Sequence, residues 1–401
     1  MRVLIADAFE QSGIAGLEAA GCTVIFQPTL KDDGLRDAIV QTQADVLVVR
    51  STTVTAPMLE AGALSLVVRA GAGYNTIDVA AASRRGIYVS NCPGKNAVAV
   101  AELTLGLILA LDRRIPDNVV SLREGKWNKK EFSKAKGLFG STLGLVGYGN
   151  IAQEVAKRAI GFGMHVVVWS RRFASGTEHP DLPVTAATSL ETLAEVADIV
   201  SLHLALSKDT RGLLGDSFFS RMKPGAAFIN TARGEVVDYA ALENAVTTRG
   251  LRVGLDVFPG EPATGTADVS IPLAALPNVY GTHHIGGSTD QAQEAIAAET
   301  VRVIVAYMTT GKVPNVVNLA RTTPATHMLI VRHRDRPGVL ASVFDALRSI
   351  GINVQETENI IFDGAEAAVA RINMDGCPSD DNVAALRTGN QDILDVRVVA
   401  L

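Results

Sequence analysis

Thr142-Leu143-Gly144-Leu145-Val146-Gly147-Tyr148-Gly149-Asn150-Ile151-Ala152 is the stretch whose reading decides the fold. A short apolar run ends in Gly147-x-Gly149-x-x-Ala152, and a helical pattern opens at Ile151 and continues through Val155, Ala156 and Ala159. Strand, glycine turn and helix in that order form a dinucleotide-binding unit. Gly147 lets the chain turn tightly, Gly149 lets bare backbone approach a pyrophosphate, and the small Ala152 lets the helix pack close to the strand. The helix N-terminus turns unpaired N–H groups toward the phosphates. A glycine triplet alone also fits an ordinary βα turn, so the surrounding chain has to decide.

Downstream, apolar runs near 142–147, 165–170, 198–204, 226–230, 252–258 and 279–282 alternate with helical segments such as 190–197 and 239–248. Continuous apolar strands imply a parallel sheet covered on both faces. Upstream, strands near 3–7, 23–27, 44–50, 64–70 and 87–90 alternate with helices in the same way. A long helical pattern from Asn96, carrying Val98, Leu103, Leu107 and Leu111, bridges the two series. A further helix near 289–311 ends at Gly311 and is expected to return to the first series. The expected domains are therefore 1–96 plus 286–318 and 97–285. After a linker at 320–325, residues 327–401 read as strand 327–333, helix 338–350, strands 353–361 and 366–374, helix 380–388 and strand 393–400. Asp363-Gly364 marks the hairpin. The expected fold class is α/β: two Rossmann-like, doubly wound parallel-sheet domains plus a ferredoxin-like βαββαβ module.

Composition narrows the class. Of 401 residues 47% are apolar and 20% charged, and the net charge of −5 leaves no footprint for nucleic acid. The longest apolar stretch, Leu103 to Leu111, is too short to span a membrane. Val3-Leu4-Ile5-Ala6 reads as a strand and not as a signal peptide. Cys22, Cys92 and Cys377 are scattered, with no disulfide framework or metal spacing, so a cytoplasmic protein without a bound metal is expected.

The chemistry gathers at strand ends, where open α/β sheets bind ligands. An NAD site places an acid at the end of the second strand to hold the ribose 2′-OH. That position is Ser170, followed by Arg171 and Arg172. Serine and arginine suit a 2′-phosphate through charge-assisted hydrogen bonds, which suggests NADP(H) use. The alternative is that both arginines are solvated loop charges. Three further stretches follow strands: Asn230-Thr231-Ala232-Arg233-Gly234, Asp256-Val257-Phe258-Pro259-Gly260-Glu261-Pro262, and Thr282-His283-His284-Ile285-Gly286-Gly287-Ser288. Oxidising a 2-hydroxy acid needs a base for the hydroxyl proton, a carboxylate to hold that base, and a guanidinium for the substrate's carboxylate and forming carbonyl. A histidine, Glu261 and Arg233 fit these roles. In extended chain His283 and His284 point opposite ways, so only one faces the cleft; periodicity does not say which.

These motifs resemble the D-2-hydroxyacid dehydrogenase family, and within it the phosphoglycerate dehydrogenase branch with a C-terminal ACT domain, over nearly the whole chain. The resemblance implies His284 as the catalytic histidine, Glu261 as its partner and Arg233 as the substrate arginine. Where the family usually has proline, this chain has His283. The resemblance places cofactor contacts on Asn150, Ile151, Ser170, Thr231, Asp256 and Gly287 beside Gly147 and Gly149, with NAD(H) as the family cofactor. The missing acid at 170 is instead similar to NADP-preferring glyoxylate and hydroxypyruvate reductases.

Gly71-Ala72-Gly73 follows an apolar strand and can present N–H groups to a carboxylate. In the family this turn, through Ala72 and Gly73, does so. Arg50 and Ser51 are implied to read the phosphate of a small phosphorylated 2-hydroxy acid, with Thr52 where part of the branch has a second arginine. Lys129, Lys130, Lys134 and Lys136 either add positive potential over the cleft or form a solvated run. In the C-terminal module, His333-Arg334-Asp335-Arg336-Pro337-Gly338 and Gly351-Ile352-Asn353 resemble an ACT domain. There His333, Asp335 and Asn353 would hold L-serine or another amino acid at a paired-domain interface; the alternative is a dimerising module without ligand. The implied activity is oxidation of D-3-phosphoglycerate, the first step of L-serine biosynthesis, by a homodimer or homotetramer. The rivals are an NADPH-dependent hydroxypyruvate or glyoxylate reductase and a dinucleotide-sensing, corepressor-like binding protein.

Overall fold

A computed structural model describes residues 1–176, 182–262 and 266–401. The chain divides into two compact units, Met1–Asn318 and Leu319–Leu401.

The first unit holds two parallel sheets. One contains β1 (Arg2–Ile5), β2 (Thr23–Phe26), β3 (Val46–Val49), β4 (Leu66–Arg69) and β5 (Tyr88–Asn91), in the order β2-β1-β3-β4-β5. One face is covered by helix Asp290–Thr310: Ile296, Val303 and Ile304 share a buried cluster with Val3, Ile5, Leu17 and Val46. The other face buries Leu35, Ile39, Leu47, Leu59 and Val67.

The second sheet contains β6 (Thr142–Val146), β7 (His165–Trp169), β8 (Thr185–Ala186), β9 (Ile199–Leu202), β10 (Ala227–Asn230), β11 (Arg252–Leu255) and β12 (Val279–Gly281). Their order is β12-β11-β10-β9-β6-β7-β8, every pair parallel. The chain reverses its direction of travel across the sheet at β6, and ligands of such sheets bind in the crevice at that switch point. β8 is the strand that no pattern announced; two exposed residues carry no periodicity.

Helix Ala97–Arg113 lies against this sheet through Leu105, Leu107, Ile108 and Leu111. Gly254 permits the approach, since a Cβ there would stand 3.2 Å from that of Leu107. Val98, expected on the apolar face, is instead 43% exposed. It falls on the solvent stripe with Glu102, Gly106 and Arg113, all exposed, which share its side of a 3.6-residue helix.

The second unit contains β13 (His327–Arg334), β14 (Val354–Ile361), β15 (Ala367–Met374) and β16 (Ile393–Ala400), in the antiparallel order β14-β15-β13-β16. Helices Val339–Ser349 and Asp380–Gly389 complete the βαββαβ order, over a core of Leu329, Val331, Val343, Leu347, Ile372 and Val396. The turn between β14 and β15 runs from Phe362 to Ala365, with Gly364 at φ 84°. Glycine at the third position of such a turn removes the steric cost of positive φ. Among the described residues no helix is long and apolar enough to cross a membrane.

Candidate active site

The glycine turn sits at the end of β6, at the switch point. Gly147 has φ 100°, and a Cβ there would lie 2.5 Å from the His203 carbonyl oxygen on the end of β9. Only glycine fits, in conformation and in space. Above Gly149 the space is open: an added Cβ would meet nothing within 4 Å. Gly149 is also the N-cap of helix Asn150–Gly161 and offers no side chain to its first-turn amides. Open room over uncapped amides fits a pyrophosphate. Ala152 is fully buried beneath, between helix and sheet.

Three loops converge beside this turn. After β10, the fully buried Asn230 clamps its own loop: its amide nitrogen donates to the Arg233 carbonyl at 3.0 Å and its oxygen accepts the Ala232 N–H at 2.9 Å. That clamp fixes the base of Arg233. The guanidinium donates to the Ala232 carbonyl at 2.6 Å and rests on the first sheet's loop, where a Cβ on Gly73 would lie 2.1 Å from one of its nitrogens. Burial pulls its pKa down, against the nearby charges of Glu261 and Glu235.

After β11, Glu261 accepts the Phe258 N–H at 2.8 Å through one oxygen and meets His284 Nδ1 at 2.5 Å through the other. Burial raises the Glu261 pKa, but the His284 hydrogen bond, the Phe258 N–H and the Arg233 charge outweigh it, and the net shift is downward. The carboxylate therefore stays ionised at neutral pH. Of the adjacent histidines it is His284 that meets the acid.

The chain there is not extended, as the alternation argument assumed, because His284 has φ 52°. The cause is Asp256, 1% exposed. Its carbonyl accepts the His284 N–H at 2.8 Å, while its carboxylate accepts the N–H groups of Ile285 and Gly286, each at 2.8 Å, and the Thr282 hydroxyl at 2.6 Å. Asp256, expected beside the cofactor, has here a structural role that its position in the sequence does not reveal: the histidine loop is wrapped around it.

On the facing sheet, Asp7 at the end of β1 accepts the N–H groups of Arg50, Ser51 and Thr52 at 2.6, 3.0 and 3.0 Å. Burial raises the Asp7 pKa, yet these bonds hold it below the ordinary value. The Ser51 and Thr52 hydroxyls also turn to Asp7, at 3.3 and 2.9 Å. Arg50 is thus held by its backbone. Next to it stands Arg69, which the sequence reading missed. Its pKa is pulled down to about 10 by burial, then by the charges of Arg233 and Arg50, and its Nε is buried without a partner. Arg69 thus stands close enough to Arg50 and to Arg233 to feel both charges, an arrangement an anion would relieve. The turn between them has φ 147° at Gly71, where a Cβ would collide with Arg69. Among the described residues the N–H groups of Ala72 and Gly73 donate to no protein acceptor, while the Ala72 carbonyl is taken by Asn91 at 2.6 Å.

Comparison with known proteins agrees with this assembly. Residues 105–286 match the family model described as "D-isomer specific 2-hydroxyacid dehydrogenase, NAD binding domain". The chain is 46% identical over 265 residues to a hydroxypyruvate reductase of Thermotoga maritima, covering 65% of this chain and 84% of that protein. It is 33% identical over 368 residues to the D-3-phosphoglycerate dehydrogenase of Escherichia coli K12, covering 88% and 87%. The chain belongs to the D-isomer-specific 2-hydroxyacid dehydrogenases. Among solved structures, the NAD⁺-bound 3-phosphoglycerate dehydrogenase of Entamoeba histolytica superposes with a TM-score of 0.67 at 26% identity, over 80% of this chain and 99% of that one.

In this dehydrogenase the remaining expected residues divide. The Thr231 hydroxyl lies 3.0 Å from that of Thr104, whose own proton goes to the Val100 carbonyl at 2.8 Å, so Thr231 donates and keeps its lone pairs free. Gly287 faces Asn96, whose side-chain oxygen is buried without a partner; the sequence reading had used Asn96 only as a helix start. The Asn150 side chain approaches Gly94. Ile151 is half-buried beside Ala152. Ser170 caps the short helix Arg171–Ala174 by accepting the Phe173 N–H at 3.2 Å. Arg171 is exposed and reaches Asp209 at 3.5 Å, so an acid stands near the strand end after all, donated by another loop. Arg172 is exposed in the same turn.

Two groups do not join the cleft as a set. Lys134 pairs with Glu131, and Lys136 with Asp198, which immediately precedes β9. Lys136 therefore lies at the opposite edge of the sheet from the catalytic ends and adds no potential there. In the second unit, His333 is 1% exposed, with Nδ1 at 2.8 Å from the Arg334 carbonyl and Nε2 at 3.1 Å from Asn359. It pairs with Ala368, whereas Val354, next to Asn353, pairs with Met374. Six residues of strand put His333 and Asn353 about 20 Å apart in one chain. Asp335, next to the His333 end, donates its N–H to Glu366. A site built from all three needs two copies.

Proposed function

We propose that the chain oxidises D-3-phosphoglycerate to 3-phosphohydroxypyruvate, the first step of L-serine biosynthesis. The observation that carries this reading is Arg69, buried within electrostatic reach of both Arg50 and Arg233. An unphosphorylated hydroxy acid brings one carboxylate, which Arg233 and the free Ala72 and Gly73 amides suffice to hold. Arg50 and Arg69 then remain for a second anionic group.

Residues 1–96 plus 286–318 serve as the substrate-binding domain, 97–285 as the dinucleotide-binding domain, and 327–401 as an ACT domain for an amino-acid effector, L-serine being the first to test. The nicotinamide supplies the hydride acceptor when bound; Gly147, Gly149 and the amides of Asn150 and Ile151 would hold its pyrophosphate. His284 takes the substrate hydroxyl proton on Nε2, the nitrogen left free by the Glu261 bond. Glu261 fixes the tautomer and stabilises the imidazolium that results. Arg233, positioned by Asn230, clamps the carboxylate and draws charge onto the carbonyl oxygen as it forms.

A second reading, NADPH-dependent reduction of hydroxypyruvate or glyoxylate, is favoured by Ser170 and Arg171 at the end of β7 and by the Thermotoga relative. Steady-state kinetics with 3-phosphoglycerate, D-glycerate, glyoxylate and hydroxypyruvate, each with NAD(H) and NADP(H), separates the two. Greater kcat/KM for 3-phosphoglycerate with NAD⁺ than for any other pair supports the first reading; efficient glyoxylate or hydroxypyruvate reduction with NADPH and negligible phosphoglycerate turnover replaces it with the second.

A further inference from the structure

At the edge of the seven-stranded sheet opposite the catalytic cleft lies a cavity of about 170 Å³. It opens where the strands begin: Ser141 precedes β6, Asp198 precedes β9, and Ala227 and Arg252 start β10 and β11. The volume would hold about five waters. Its floor is apolar, from Ile108, Leu111, Leu138 and Ile199.

The charges on its wall do not cancel locally. Asp198 is satisfied, accepting the Thr142 N–H at 2.9 Å, Lys136 at 3.1 Å and Lys223 at 3.2 Å. Asp112 is not. It is 8% exposed, and its two oxygens share one N–H, that of Gly137, at 3.1 and 3.2 Å. Among the described residues no cation lies within ion-pair range of it. Arg252 is the converse case. Its Nε donates to the Gly225 carbonyl at 3.1 Å, and among the described residues its terminal nitrogens have no acceptor. A buried carboxylate without a cation is costly, while the partly exposed Arg252 keeps its terminal nitrogens available to an incoming anion. The two line one cavity yet stand too far apart to pair.

We propose that this cavity binds a small zwitterionic amino acid with an apolar side chain. Its ammonium meets Asp112, its carboxylate meets the terminal nitrogens of Arg252, and its side chain lies on Ile108, Leu111 and Leu138. The site is separate from the cleft and from the ACT-like module.

Isothermal titration of the full-length enzyme tests it with three probes: L-leucine, isovalerate, which lacks the ammonium, and isoamylamine, which lacks the carboxylate. Leucine is expected to bind in the millimolar range and each fragment at least about tenfold more weakly. Asp112→Asn, which keeps an acceptor for Gly137, should weaken leucine about tenfold and leave isovalerate unchanged. Arg252→Met should weaken leucine and isovalerate and leave the amine unchanged; this variant decides alone if Asp112→Asn melts early. No leucine heat at about 20 mM, equal binding of all three probes, or indifference to both substitutions overturns the proposal. So does leucine binding that Asn353→Ala abolishes, which would place the amino acid in the second unit.

Discussion

Arg69→Met should make the protein more stable and less active toward a phosphorylated substrate. In the free cleft Arg69 is pulled down from its ordinary value to about 10 by burial and by two neighbouring guanidiniums. A depressed value for a cation means that folding disfavours the charged form, at every pH below about 10. The full depression corresponds to about 3 kcal/mol, and partial exposure trims it to about 1–2 kcal/mol. Methionine keeps the apolar stem and removes the charge. At about 2 °C per kcal/mol for a domain of this size, Tm should rise by about 2–4 °C in phosphate-free buffer. Substrate binding reverses the balance, because the phosphate then loses a charge-assisted hydrogen bond. That costs about 2–3 kcal/mol, or about 30- to 150-fold in kcat/KM for 3-phosphoglycerate, with D-glycerate changed by less than about threefold. Differential scanning fluorimetry and paired kinetics measure both halves. A lower Tm together with unchanged 3-phosphoglycerate kinetics would refute the reasoning, since Arg69 would then be a structural cation and not part of an anion site.

Other substitutions probe other parts of the cleft. Glu261→Gln retains an acceptor for Phe258 but loses the charge facing His284; kcat should fall about 30- to 1000-fold with KM little changed, and a fall below about threefold would detach the pair from catalysis. His284→Ala should remove most activity and His283→Ala little; the reverse pattern would move the base by one residue. Asp209→Ala releases Arg171 from its 3.5 Å partner and should raise kcat/KM for NADP(H) several-fold relative to NAD(H); an unaltered ratio would show Arg171 to be a solvated charge. Glu299 is held near 2 by Arg302, Asn315 and Lys95, against burial. Its folded value is depressed, so it stabilises above its ordinary 4.5, and that contribution is lost as pH falls toward 2. Glu299→Gln should therefore cost about 1–2 kcal/mol at pH 7, and urea melts of the two proteins should converge only as pH approaches about 2. A gap independent of pH would contradict this.

Much of this was legible in the sequence because parallel strands buried on both faces read as unbroken apolar runs. The glycine turn, the strand ends and the βαββαβ order all follow from that signal. Arg233, Glu261 and His284 were legible because each follows a strand end. What escaped was held by geometry across the sequence. Arg69 closes an apolar run and resembles any strand terminus until Arg50 and Arg233 are brought beside it. Asp7 looks like a strand stop, although it ties down the amides of residues 50–52. The left-handed backbone of His284 is imposed by Asp256, 28 residues earlier, and an alternation rule has no access to such a bond. The His333 and Asn353 motifs were readable one at a time; their separation along β15 was not.

The contact between Arg233 and Gly73 has a mechanical meaning. One belongs to the seven-stranded sheet, the other to a loop of the five-stranded sheet, and the guanidinium occupies the space where a side chain on residue 73 would begin. Glycine here leaves that guanidinium its place against the facing loop. A single methyl at that position would lie 2.1 Å from a guanidinium nitrogen and would push the charged end of Arg233 out of its place. Its cost would fall on the reacting geometry, where misplacement by about 1 Å is worth about a hundredfold. A residue with no side chain thereby governs where a guanidinium from the other sheet can stand.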